Sequence, residues 1–337
     1  MTQTKPAVRI RAAKTDSRTA QAAAPLWKWG LGAAGAAAAA GAAAYNVARA
    51  RRADAANPPL GSFVEVDGVR LHYVEKGSGP VIVLLHGNAT MVQDWISSGL
   101  FDALARTNRV VAFDRPGFGH STRPRNVLWT PAAQAELVAK ALGQLGYKDA
   151  TVVGHSFGTL VAAELGLRHP ELARSLVLVG GYYYPSMRVD AVLSAPPAVP
   201  LVGDAIRYTV SPFLGAAMKP GLEAQIFGPA PVSEGWREGF PFEMTLRPSQ
   251  IRAAAAEAAL MVPGAAALAP RLGGLTQPVA ILAGRDDKVV STQDQSERLA
   301  AELPHATRLV VDGAGHMVHH SAMEQVAAAT LDTARNA

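Results

Sequence analysis

From residue 62 onward the chain alternates between two hydrophobic patterns. Short apolar runs bounded by Gly, Pro or Asp predict strands, and apolar residues three and four apart predict helices between them. Phe63–Val66 and Val69–Val74 flank Asp67-Gly68 with alternating apolar and polar positions, which predicts a hairpin closed by a two-residue turn. Val81–Leu85 and Arg109–Phe113 are continuous apolar runs and predict strands buried on both faces. Further strands are expected at Thr151–Val153, Ser175–Val179, Val279–Ala283 and Thr307–Val311. Helices are expected at Pro131–Leu145, Thr159–His169, Gln293–Glu302 and Met323–Arg335. Strands separated by helices imply an α/β protein: a mostly parallel sheet with helices on both faces and the hairpin as an antiparallel edge.

The alternation stops between Tyr182 and about Leu275. That stretch is rich in Pro, Gly and Ala, holds many of the aromatic residues, and contains a helical piece at Ser249–Met261. It reads as an insertion between two strands, forming a cap over the strand ends. The expected organisation is a leader at 1–57, a core made of 58–181 and 276–337, and a cap at 182–275.

The leader has a pattern of its own. Residues 29–48 carry no charge, and Trp27, Trp29 and Tyr45 sit near the ends of that stretch. Its length suffices for a helix to cross a hydrocarbon layer of about 30 Å. Ala and Gly dominate it, so the span is marginal. Three readings stand: a single membrane anchor, a signal segment with a cut near Ala53–Ala56, or a soluble Ala/Gly linker. More basic residues precede the span than follow it, which favours an extracytoplasmic position for the folded part. Residues 53–61 read as a linker.

Composition narrows the chemistry. The 337 residues include no cysteine, which excludes a thiol nucleophile, a disulfide framework and cysteine-ligated metals. The formal charge of +5 resides largely in the first 52 residues, so it describes the leader and gives no reason to expect nucleic acid.

The most specific motif is Gly154-His155-Ser156-Phe157-Gly158, between an apolar run and a helix-like run. A serine on a sharp strand-to-helix turn, with small residues two positions either side, is a nucleophile elbow. After the strand ending at Ala283 comes Gly284-Arg285-Asp286-Asp287. Asp287 is the preferred carboxylate, with Asp286 the alternative. After Thr307–Val311 comes Gly315-His316. A serine hydroxyl needs a neutral imidazole to take its proton, and a buried carboxylate to orient that imidazole and stabilise the cation that forms. Ser156, His316 and Asp287 supply these types. The backbone N–H groups of Asn88 and Phe157 are the candidate oxyanion donors. His86 reads as structural, tied to nearby loop backbone, and His155 as shaping the pocket. His316, His319 and His320 cluster, but with no acidic residue at ligand spacing they give no expectation of a metal, and no cofactor is required.

These pieces, together with His86-Gly87-Asn88 and Asp114-Arg115-Pro116-Gly117-Phe118-Gly119-His120-Ser121, resemble the α/β-hydrolase fold family over roughly residues 62–335. The resemblance implies an eight-stranded sheet with a helical cap, and a serine hydrolase cleaving an ester, an amide or another carboxylic-acid derivative; the aromatic residues of the cap add the expectation of a small, apolar substrate. Similar dehalogenases and epoxide hydrolases use an aspartate where this chain has Ser156. Hydrolases of C–C bonds and cofactor-free haloperoxidases or perhydrolases share the same triad, and a slow-turnover ligand-binding member is a further alternative. The aromatic residues Tyr182, Tyr183, Tyr184, Phe213, Phe227, Trp236, Phe240 and Phe242 are expected to form the cap's core or to line an acyl pocket.

Overall fold

The computed structural model describes residues 1–3 and 26–337. Eight strands form one sheet: β1 (Ser62–Val66), β2 (Val69–Lys76), β3 (Val81–Leu85), β4 (Arg109–Phe113), β5 (Ala150–His155), β6 (Ala173–Val179), β7 (Val279–Gly284) and β8 (Thr307–Val311). Their order is β1-β2-β4-β3-β5-β6-β7-β8. The β1–β2 and β2–β4 pairs are antiparallel and all others parallel. The hairpin closes at Val66↔Val69, and Asp67 and Gly68 both take positive φ (49° and 76°), as a tight two-residue turn demands.

Helices α1 (Leu26–Ala56), α2 (Val92–Ser97), α3 (Leu100–Leu104), α4 (Pro131–Gln144) and α5 (Phe157–Arg168) precede β6. Between β6 and β7 lie α6 (Val189–Ser194), α7 (Val202–Thr209), α8 (Ser211–Phe227), α9 (Glu234–Gly239), α10 (Phe242–Thr245) and α11 (Pro248–Leu268). The C-terminal part adds α12 (Arg298–Glu302), α13 (Val318–Ser321) and α14 (Met323–Arg335). Thr130 caps α4 by accepting the Ala133 N–H, and Pro131 occupies its first turn.

Alternate residues of one strand serve two cores, because side chains on a strand alternate sides. Val83 and Leu85 pack with α4, α5 and α11 in one cluster. Ile82 and Leu84 pack with α3 and α14 in the other. All four are fully buried, each worth roughly 1.5–3 kcal/mol of transfer free energy. This double burial is why β3 and β4 read as unbroken apolar runs.

Two expectations change here. The chain divides into compact units Met1–Ala40 and Gly41–Ala337, so the tail of α1 belongs with the core. Residues 53–56, expected to open a linker, are helical, and their start is tied to the core: Ala53 is buried, and Asp54 pairs with Arg247 at 2.6 Å. Asn46 donates to the carbonyls of Tyr208 and Thr209 at 2.9 and 3.2 Å. In the first unit, residues 32–40 of α1 are exposed. The second change concerns α11, which runs past Pro263 to Leu268 because Met261, Ala265 and Leu268 continue its buried stripe. It is also long and apolar enough to cross a membrane, yet its packing against α5, α6 and α7 and its buried Glu257 make it a core helix.

Candidate active site

Ser156 occupies the turn between β5 and α5 with φ 52° and ψ −120°. A non-glycine residue there carries strain of about 1–3 kcal/mol, which the surrounding packing must hold. Both flanking glycines are required by close approach. A Cβ on Gly154 would lie 2.5 Å from the Gly158 carbonyl oxygen, and one on Gly158 would lie 2.2 Å from that of Leu85. The Ser156 N–H donates to the Val179 carbonyl at 3.0 Å, tying the turn to β6. Its hydroxyl is left without a protein hydrogen bond among the described residues, which keeps it available to a reacting partner.

Asp287 reaches His316. Its Oδ1 accepts the Val289 and Val290 N–H groups at 2.8 and 2.9 Å, and its Oδ2 accepts His316 Nδ1–H at 2.7 Å. The arrangement leaves His316 Nε2 as the free ring nitrogen, the tautomer a general base needs. Asp286 instead accepts the Gly313 N–H at 3.1 Å on the exposed side of the turn. His316 is tied to the neighbourhood of Ser156 through His155, whose Nε2–H donates to the His316 carbonyl at 3.2 Å with ring centroids 4.9 Å apart. His155 is fully buried, and burial holds its ring neutral, with a pKa well below the usual imidazole value. It therefore fixes the His316 loop from behind, and does not shape the pocket as its place in the motif suggested.

The Gly87–Asn88 turn passes directly beside the elbow: a Cβ on Gly87 would lie 3.1 Å from that of Ser156. The N–H groups of Asn88 and Phe157 donate to no protein acceptor among the described residues. Phe157 opens α5, so its amide also lies at the positive end of a helix dipole. His86 is buried and donates Nδ1–H to the Gly87 carbonyl at 2.7 Å, while its Nε2 accepts the Arg115 N–H at 2.9 Å. Burial, with the Arg115 charge adding to it, pushes its pKa down to about 3. His86 is thus a neutral structural brace.

Sequence reasoning missed what stands behind this turn. Arg115 is wholly buried and grips the backbone, Nε to the His86 carbonyl at 2.7 Å and Nη2 to that of Gly87 at 2.8 Å. Its outer edge forms a two-pronged pair with Glu257 of α11 at 2.5 and 3.0 Å, and Nη1 also reaches Gln134. A planar guanidinium suits this because its fork of donors can serve carbonyls and a carboxylate at once.

A second unforeseen group lies under His155. Asp94, from α2, accepts the Nε2–H groups of His319 and His320 on one oxygen, both at 2.9 Å. The acidic partner that local spacing lacked thus comes from 225 residues away. Burial would raise the Asp94 carboxyl, but the two imidazole donors outweigh it and hold the group well below the usual carboxylate range. These three side chains could hold a metal ion by proximity. Their geometry is nonetheless that of hydrogen bonding, since both ring nitrogens share one oxygen and His320 Nδ1 bonds the Ser233 hydroxyl at 2.9 Å. The two histidines thus brace α13 against α2.

The cap's aromatic residues mostly form cores. Tyr182, Tyr183 and Tyr184 join the sheet's cluster, whereas Phe227, Trp236 and Phe240 make a separate one with Met317, next to His316. Phe213 is exposed and stacks on Tyr45 at 5.6 Å. A cavity of about 490 Å³ opens at the N-terminal ends of β7 and β8, the opposite end of the sheet from Ser156, and does not serve this site.

Residues 80–322 match the family described as alpha/beta hydrolase fold. Among curated relatives, a 2-hydroxymuconate semialdehyde hydrolase of Pseudomonas sp. (strain CF600) is 33% identical over 146 residues, 42% of this chain and 52% of that one. The dihydrolipoyllysine-residue acetyltransferase component of the acetoin cleaving system of Cupriavidus necator is 41% identical over 118 residues, 35% of this chain and 31% of that one. The chain thus spans about half the length of the first of these relatives and about a third of the second. Among solved structures, a membrane phospholipase A described as a bacterial virulence factor superposes with a TM-score of 0.64 at 24% identity, covering 93% of this chain and 97% of that one. An enol-lactonase from Burkholderia xenovorans LB400 gives 0.65 at 20% identity, covering 80% and 98%. At these identities the likeness concerns the fold, and with more than half of the chain matched by one family the conclusion is direct: this protein belongs to the alpha/beta hydrolase fold family.

Proposed function

We propose that the chain is a serine hydrolase that cleaves an ester, or a related carboxylic-acid derivative, of a small apolar substrate. The observation that carries the reading is the strained serine at 156, set between an unpaired amide at the head of α5 and the Asn88 turn. In this reading His316 Nε2 takes the Ser156 proton as the hydroxyl attacks the carbonyl carbon. The amides of Asn88 and Phe157 hold the resulting oxyanion, each worth on the order of 10²- to 10³-fold in rate. The imidazolium, steadied by Asp287, then protonates the leaving group, and water releases the acyl group by the reverse steps.

A second reading, hydrolysis of a C–C bond, is favoured by the likeness to the semialdehyde hydrolase. The test is one assay series: p-nitrophenyl esters of graded chain length and a ring-fission product, with the protein and its Ser156→Ala variant, beside fluorophosphonate labelling. Ester turnover and labelling that both vanish in the variant support the first reading. Turnover of the ring-fission product alone supports the second, and no labelling of folded protein ends both.

The same proposal places the chain at a membrane through the charge-free stretch 29–48, by way of its exposed part, residues 32–40, because Tyr45 and Asn46 already pack on the cap, with the folded part extracytoplasmic. Support comes from the continuous helix over Leu26–Ala56 and from the exposed apolar side chains of the cap, among them Met187, Val192, Leu193, Leu201 and Leu214. Deleting residues 1–40 spares the packed end of α1 and tests the anchor. Loss of membrane fractionation is expected, and unchanged fractionation would exclude it.

A further inference from the structure

Away from the site, a cleft of about 400 Å³ is walled by the loop from Gly117 to Arg125, by α7 and by the start of α11. Five arginines line it: Arg123, Arg125, Arg207, Arg247 and Arg252. Their carboxylate partners are few. Arg125 and Arg207 share Asp204, and Arg247 has Asp54. Arg123, with only 6% of its side chain exposed, has Glu257 at 4.0 Å, and that carboxylate is already held by both prongs of Arg115. Arg252 has neither an ion pair nor a hydrogen bond among the described residues. Among the described residues, five cations therefore face two carboxylates of their own.

Burial lowers several of these groups, and the neighbouring like charges add to it. Burial, with Arg115 and Arg252 nearby, pushes Arg123 down to about 10, and burial with Arg125 lowers both Arg207 and Arg252. Such a concentration of like charge is costly unless something negative occupies the space. The cleft also receives the first turn of α11, a helix of 21 residues, where the Ser249 N–H has no protein acceptor among the described residues. Guanidinium forks and a helix N-terminus are the two standard ways a protein holds a tetrahedral oxyanion.

We infer that this cleft binds a phosphate group, with Arg123, Arg125, Arg207 and Arg252 as its cationic wall and the start of α11 as its floor. The room exceeds what bare phosphate fills, so the ligand class is a phosphate ester: either a soluble phosphomonoester or the headgroup of an anionic phospholipid. The inference does not depend on the hydrolase reading, because none of these residues belongs to the Ser156 site.

The experiment is thermal unfolding of the full chain in neutral-detergent micelles. Sodium phosphate is titrated against sodium chloride at matched ionic strength, in parallel with short-chain phosphatidylglycerol against phosphatidylcholine of the same chain length. Phosphate or phosphatidylglycerol is expected to raise Tm saturably, as any ligand of the native state does. In Arg252→Gln, which strands no carboxylate, the apparent affinity is expected to fall about tenfold, the loss of one charge-assisted hydrogen bond. Arg252→Lys should recover part of it, and Ser156→Ala should respond like the parent chain. Stabilisation by phosphatidylglycerol at lower concentration than by phosphate identifies a lipid headgroup. Stabilisation by phosphate, with the two lipids indistinguishable, identifies a soluble ester. No saturable response to either, or an unchanged response in Arg252→Gln, overturns the inference.

Discussion

Two aspartate–histidine assemblies lie within reach of His155, and their difference is instructive. Asp287 holds His316 by one nitrogen and leaves the other free at the rim. Asp94 holds His319 and His320 at full burial, and every ring it touches is used to tie α13 to α2 or to the cap. The chemical pairing is the same. What separates the proposed proton carrier from a brace is whether the second ring nitrogen is left unbonded at the rim, on the side of the proposed nucleophile. Burial keeps the His319 ring neutral while the imidazole donors keep the Asp94 carboxyl low, a fixed pairing that suits holding.

Variants can sharpen or break this contrast. The largest expected effect is on the rim: Ser156→Ala should lower kcat for ester hydrolysis by about 10⁴-fold or more, with an unchanged Tm. Asp287→Asn should cost about 10⁴-fold in kcat at little cost in stability, because the ring would then sit in the wrong tautomer. The deeper pair should behave in the opposite way. Asp94→Ala strands two buried N–H donors and should lower unfolding free energy by about 2–6 kcal/mol in urea titrations. If the activity of folded Asp94→Ala fell as far as that of Asp287→Asn, the contrast would fail. pH should act on the buried rings next. His86, His155 and His319 have folded-state pKa values below the unfolded one, so the unfolded chain binds more protons as pH falls below about 6.5. Their contribution is fully present above that pH. For His86 it is lost between about 6.5 and about 3, at about 1.4 kcal/mol per pH unit. Chemical denaturation at pH 7.5 and 5.5 measures the slope. The smallest effect should come from Ser233→Ala, which removes one neutral hydrogen bond to His320 and should cost about 1 kcal/mol.

How far the sequence revealed the molecule follows from the range of the forces involved. β3 and β4 were legible because strands buried on both faces must be apolar throughout, and the hairpin because Asp-Gly alone nearly dictates its turn. The elbow was legible because strain and close packing leave signatures at fixed spacing around Ser156. The short helices α2 and α3, of six and five residues, lack enough turns to show a period. The end of α11 was misjudged because Pro263 signals a stop locally, while burial of Leu268 overrides it. Partners far apart in sequence were invisible: nothing near His319 announces Asp94, and nothing near Arg115 announces Glu257, 142 residues away. Residues 53–56 were read as linker for the same reason, since the Asp54 contact with Arg247 is distant in the chain.

The Arg115–Glu257 clasp has a consequence for how such a protein can be remade. One end of the guanidinium holds the turn that carries Asn88, and the other is anchored in a helix of the segment between β6 and β7. Exchanging that segment for one from another hydrolase, a common route to new selectivity, would leave a bare cation behind the turn that carries Asn88. A transplant would have to bring its own acid to the same spot, so this lid and this scaffold are not independently interchangeable parts.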